Sequence, residues 1–247
     1  IPLHFNGPQP NTYGVPKAQS QPYEGQGFIG DVRQGSGCNF ESYQFIAHCN
    51  GTHTECIGHI TSERISQNDC LSQHLFPATL ITISPELGSL STENYQPPLE
   101  NQDLLISQKS LEQALEHSNH DFLQALIIRT LPNLSQKKSR DYIQELPAFF
   151  THEAMQYIRD LGINHLLVDI PSVDRLFDEG MLSNHHIFWQ VPQGTHTPNA
   201  NSRMKATITE MIYVSDEIPD GYYLLNLHTA PFVSDATPSK PFLYALI

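Results

Sequence analysis

The segment His48-Cys49-Asn50-Gly51-Thr52-His53-Thr54-Glu55-Cys56-Ile57-Gly58-His59 constrains this chain more than any other. Three imidazoles, two thiols and a carboxylate gather around a glycine where an apolar, strand-like run from Phe40 to Ala47 ends. Side chains on a strand alternate between faces, so His53 and Glu55, two positions apart, point the same way. A neutral imidazole beside a carboxylate chelates a divalent ion such as zinc or manganese. Such an ion brings the pKa of a bound water close to neutrality and makes it a hydrolytic nucleophile. These residues read as the metal centre of a hydrolase.

A third ligand has two candidates. Strand parity puts Cys49 on the face of His53 and Glu55 and His48 on the other. Asn50-Gly51, however, is a turn or bulge signature, and a one-residue bulge reverses parity. His48 is preferred and Cys49 is the alternative; a thiolate ligand would tilt selection toward zinc. Gly58 bends the chain before His59.

Residues 1–37, rich in Pro, Gly, Gln and Asn, read as an extended arm that in an oligomer can cross to a neighbouring subunit. Residues 38–247 read as one domain. Strands are expected over Ala78–Ile83, Phe122–Arg129, Ile163–Asp169, Ala206–Met211, Tyr222–Leu227 and Phe242–Leu246. A short helix is expected over Ser110–His117. Thr151 to Leu161 is a longer one, with Thr151 as N-cap, Glu153 in its first turn and Gly162 as its stop. Alternating strands and helices indicate an α/β fold, a single domain with a central mixed sheet flanked by helices. The polar stretch Val191–Arg203 is either a surface loop or a lid over the site.

With 13 Lys and Arg and a formal charge of −13, the chain lacks the clustered cations that a nucleic-acid backbone requires. No run of about 18 apolar residues predicts a membrane span. The opening Ile1-Pro2-Leu3-His4 shows neither a basic nor an apolar leader region, so a cytoplasmic location is the default expectation. The four cysteines read as reduced thiols, with two disulfides as the alternative in an exported protein. No Gly-x-Ser-x-Gly elbow or phosphate loop supports a serine hydrolase or nucleotide-binding reading. His4, His74, His117, His120, His152, His165, His196 and His228 have no ligand-like spacing to one another.

The segment resembles the signature His-x-Gly-Thr-His-x-Asp-x-Pro-x-His of the metal-dependent cyclase/hydrolase family that includes bacterial kynurenine formamidases. Gly51-Thr52-His53 and His59 match, Glu55 keeps an acidic residue where the family has Asp, and Cys49 and Ile57 stand where it has His and Pro. The likeness continues through Val168–Asp174, Asn184–Trp189, Ile208–Met211 and Asp235–Lys240. The resemblance implies a swivelling β/β/α fold and a homo-oligomer, dimer or tetramer. It implies one or two divalent ions, zinc first and manganese second, on His48, His53, Glu55, His185 and Glu210, with His59 as acid/base. Glu210 also stands out by itself, because an ionised carboxylate in an apolar strand needs a partner. His186, on a helix, points about 100 degrees away from His185. Asp169 and Asp174 are expected to make structural hydrogen bonds.

The activity implied is arylformamidase-like hydrolysis of a small amide, formamide or cyclic amide, with His59 moving the proton. Phe or Tyr side chains from residues 13–45, and Trp189, are available to pack on an aromatic substrate. Cyclisation, dehydration or lactone opening uses the same polarised carbonyl and is the alternative, as is a non-catalytic metal- or ligand-binding relative.

Overall fold

The apolar, β-branched runs close on themselves. In the computed structural model, which describes residues 1–246, seven strands form a barrel. They are β1 (His53–Cys56), β2 (Leu75–Ile83), β3 (Ala125–Thr130), β4 (His165–Val168), β5 (Thr207–Glu210), β6 (Gly221–Thr229) and β7 (Ala236–Ala245). Their order around the barrel is β4-β5-β1-β7-β6-β2-β3. The pairs β2–β3, β3–β4 and β4–β5 are parallel and the other four antiparallel, so the sheet is mixed, as expected. Closure removes the unpaired edges that an open sheet exposes. Helices α1 (Gln108–Leu115), α2 (His152–Asp160) and α3 (Ser183–Trp189) cover one side.

Strand alternation sorts the core into two layers. β3 is buried along its whole length. Ile127 packs inside the barrel with Leu80, Leu167 and Leu225. Leu126 and Ile128 face outward, under Met155 and Ile158 of α2 and Phe188 of α3. Each fully buried Leu or Ile contributes about 1.5–3 kcal/mol of transfer free energy. At the start of α2, Thr151 Oγ1 accepts the Ala154 N–H at 3.1 Å. After α2, Gly162 adopts φ +76, a conformation open to glycine without a Cβ clash.

Two expectations are corrected. Of Phe40–Ala47, only Glu41–Gln44 is strand, and it pairs with Gln19–Pro22 of the arm rather than joining the barrel. The chain then makes a single helical turn, Ala47–Asn50, in place of a strand bulge. Asn50 closes that turn: its N–H donates to Ile46 O and its Oδ1 accepts the Ile46 N–H at 2.8 Å. Side-chain bonding of this kind is how Asn diverts backbone from an extended ladder. A second small sheet, Glu86–Leu87, Leu104–Ile106 and Phe149–Phe150, was outside the expectation because its strands are too short to show a period.

The arm lies against its own chain, with Asn11 bridging to Asp141 and Gln9 bonded to Ala18. All four cysteines are free thiols. Among the described residues no helix is long and apolar enough to cross a membrane.

Candidate metal centre

β1 and β5 run side by side, with His53 opposite Glu210 and Glu55 opposite Ile208. Ile208 packs in the helix-side layer, so His53, Glu55 and Glu210 project from the outer face of the barrel wall. Thr54 and Thr209 point inward and bond to each other at 2.8 Å. Helix α3 brings His185 over the outer face. The helical turn before β1 brings His48, and the 3-10 turn Ile57–His59 brings His59.

Glu55 is the centre of the cluster and is fully buried. One oxygen, Oε1, lies 3.0 Å from His185 Nε2. The other, Oε2, lies 3.0 Å from His48 Nδ1 and 3.8 Å from His59 Nε2. Glu210 Oε2 is 3.4 Å from His53 Nε2, and Glu210 Oε1 is 3.9 Å from His185 Nε2. Three sets of donors converge closely enough to hold a cation: His48, His53 and Glu55; Glu55, His59 and His185; and His48, His59 and Asp235. Cys49 belongs to none of them. Its thiol is pushed up to about 12 by burial and by the Glu210 charge.

The imidazoles are held in defined tautomers. His53 Nδ1 donates to Gly51 O at 3.0 Å, which leaves the Nε2 lone pair facing Glu210. His185 Nδ1 lies 2.6 Å from Asp174 Oδ2, which turns its Nε2 toward Glu55. His53 Nε2 and Glu55 Oε2 are buried and make no well-aligned hydrogen bond, Oε2 meeting His48 only as an ion pair. Orphaned buried atoms of this kind are rare in folded proteins. Two imidazoles and a carboxylate with ligand atoms within 4.8 Å of one another, as His48, His53 and Glu55 are, fit a divalent cation, the ligand chemistry of zinc and manganese.

The electrostatics carry the same demand for positive charge. Burial would lower the pKa of His48, but its contacts with Asp235 and Glu55 outweigh that and raise it to about 10. Burial opposes ionisation of Glu55 as well, yet the charges of His59 and His185 hold it well below the usual carboxylate range. His185 is raised well above the usual histidine value, against its burial, by Glu55 and Asp174.

The structure therefore brings His48, His53, Glu55, His59, His185 and Glu210 together, and leaves Cys49 out. Asp235 was missed as a member. It sits 2.9 Å from His48 Nε2 and 3.5 Å from His59 Nδ1, and hydrogen bonds to both hold its carboxyl well below the usual range. Asp174 makes the structural bonds expected of it, accepting the Asn184 and His185 N–H groups, and also orients the His185 ring. Asp169 also makes the structural bonds expected of it, accepting the Thr130 N–H and hydroxyl, and pairs with buried Lys137 at 2.7 Å. His186 turns away and bonds to Val191 O.

Trp189 is fully buried behind His185, so the expectation that it packs on a substrate is corrected. The Val191–Arg203 segment is pinned beside His59, with His196 bonded to Ile60 O and Ser62 N–H bonded to His196 O. A cavity of about 720 Å³ opens over His48, His59, His185 and Glu210, walled by Tyr13, Leu176, Phe177 and Leu182. The Val191–Arg203 segment is not among its walls.

Residues 4–175 match the model of the family described as "Putative cyclase". The chain belongs to this family. The matched span includes His48 to His59 and stops before His185, Glu210 and Asp235, which the fold itself brings to the site. No protein with curated annotation matches by sequence.

Several solved structures share this cyclase-family fold. A predicted metal-dependent hydrolase from Bacillus stearothermophilus superposes with a TM-score of 0.59 at 16% identity, covering 98% of this chain and 94% of that one. An isatin hydrolase bound to the product analogue thioisatinate gives 0.59 at 14% identity, over 92% and 80% of the two chains. Isatin hydrolase A from Labrenzia aggregata, bound to benzyl benzoate, gives 0.57 at 11% identity, over 96% and 88%. At these identities the likeness is one of fold.

Proposed function

We propose that this cyclase-family chain is a divalent-metal-dependent hydrolase of a carbon–nitrogen bond in a small amide, formamide or cyclic amide, arylformamidase-like in its chemistry. The observation that carries the reading is the convergence of His48, His53 and Glu55, with His53 Nε2 and Glu55 Oε2 buried and lacking an aligned hydrogen bond, under an open cavity. The isatin hydrolases that share the fold support the choice of bond, since isatin is a cyclic aromatic amide.

His48, His53, Glu55, His185 and Glu210 are the proposed ligands, with zinc the expected ion and manganese the second. Bound there, such an ion would polarise the substrate carbonyl and lower the pKa of a water. The remaining work belongs to the protein. Glu55 presents one oxygen to His185 and the other to His48, so it can serve two positions at once. Asp235 faces Nδ1 of His59 and orients the ring. His59 Nε2 then points to the Glu55 side of the cavity, placed to accept a proton there and return it to the departing nitrogen.

Zinc-loaded protein is expected to hydrolyse formanilide or isatin. His59→Ala should keep its metal and lose about 10²–10⁴-fold in kcat. Full activity in that variant would remove His59 from the mechanism. Elemental analysis of His48→Ala and Cys49→Ala should show metal lost only from the first.

A further inference from the structure

We propose that the cavity selects aromatic amides by charge, taking neutral or cationic rings and rejecting rings that carry a carboxylate. This rests on the amide-hydrolase reading of the same site. The cavity has aromatic lips. Tyr13 on the arm and Phe177 on the opposite loop are 48% and 57% exposed, and both line it. Two exposed rings flanking a cleft suit a flat, apolar body.

Carboxylates also outnumber cations in the cavity wall. Asp174, Asp178, Glu179 and Glu210 line it against the imidazoles of His48 and His185, and no Lys or Arg does. Asp178 is only 8% exposed, yet among the described residues it has no cationic partner. Its oxygens instead accept the N–H groups of Gly180 at 2.9 Å and Leu182 at 2.6 Å. Those bonds hold a tight loop in which Glu179, Gly180 and Leu182 all have positive φ. Backbone held in that region by a non-glycine residue costs energy and marks a shape that the surroundings impose. The loop sets exposed Glu179 on the rim, also without an ion-pair partner among the described residues.

With Glu55 and Asp235, six carboxylates lie in or beside the site. Even two divalent ions would cancel only four of those charges. The excess field repels an incoming anion and attracts a cation, and low-dielectric walls focus it. A product that gains a carboxylate on hydrolysis is expelled by the same field.

The test compares three substrates on zinc-loaded protein: formanilide, para-(aminomethyl)formanilide and para-(carboxymethyl)formanilide. The cationic compound should exceed the anionic one in kcat/KM by about tenfold or more at low salt, the ratio shrinking as salt screens the field. Glu179→Lys should cut that ratio by about fivefold or more, with Glu179→Gln between. Binding of benzylammonium and phenylacetate to metal-free protein, read by calorimetry, should follow the same order and the same dependence on residue 179. Turnover with a ratio within about twofold, or one indifferent to Glu179→Lys, would overturn charge selection and leave the hydrolase reading standing. No turnover of any formanilide, with the binding order intact, would do the reverse. No turnover and no binding preference would overturn both.

Discussion

A single carboxylate, Asp174, does three things at once. It accepts the N–H groups that open α3, it accepts the Tyr95 hydroxyl at 2.9 Å, and it fixes the tautomer of His185. Its own pKa is lowered despite burial, chiefly by the bond to His185. Partners of this type orient a ligating histidine and raise its basicity. Asp174→Asn keeps the size and the acceptor but loses the charge. It is expected to weaken zinc binding by about 10–100-fold in a competition titration with a chromogenic chelator. An unchanged affinity would mean that His185 is held by packing alone. Asp235 stands in the same relation to His48 and His59, but its signal in the sequence was faint. It lies 187 residues from His48, and no local spacing connects the two.

At the scale of elements, α2 was legible because its start, its apolar face and its stop are all local. Thr151 caps it, Ala154, Met155 and Ile158 are buried, and Gly162 ends it. Thr151→Ala should cost about 1 kcal/mol in urea unfolding, since it removes the side chain that satisfies a first-turn N–H. A loss near zero would show that Glu93, which accepts the Thr151 hydroxyl, caps the helix in its place.

β4 carries a pH-sensitive residue. His165 is buried against Phe76, with ring centroids 4.0 Å apart and Nδ1 bonded to Thr207 Oγ1 at 2.9 Å. Burial, with the charge of Arg203 adding to it, lowers its pKa to about 4. Between pH 6.5 and 4 the unfolded chain binds a proton there that the folded chain refuses. Stability is therefore present above that window and lost as pH falls through it, by up to about 1.4 kcal/mol per pH unit. His165→Gln should flatten this slope relative to the parent in denaturant titrations at pH 6.5 and 4.5. Equal slopes would refute the assignment.

For the whole molecule, the proposed ion would hold together parts that are far apart in the chain. His48, His53 and Glu55 come from one end of the barrel wall, His185 from a helix, and Glu210 from a neighbouring strand. An ion that binds the folded state and not the unfolded one stabilises by about 2.7 kcal/mol at one hundred times its dissociation constant. For a chain of this length that corresponds to roughly 5–10 °C in Tm. Chelation followed by scanning calorimetry should lower Tm by that amount, and zinc should restore it. A Tm indifferent to chelator and zinc would count against an ion at this site.

Local pattern in the sequence was enough to place three of the site's residues. A period of two put His53 and Glu55 on one side of β1, and an isolated carboxylate in an apolar strand marked Glu210. It also determined the α/β class, because alternating strand and helix patterns are written over a few residues each. Tertiary structure decided which residues meet. The turn that aims His48 depends on Asn50 folding back on Ile46, which competes locally with the strand that Phe40 to Ala47 had suggested. Tyr13 and Phe177 became the lips of one cavity, and Asp235 a neighbour of His59, only when the barrel closed. Propensity and periodicity act over a turn or a strand pair. Distances between segments tens to hundreds of residues apart follow from how the two core layers pack, which no local pattern specifies.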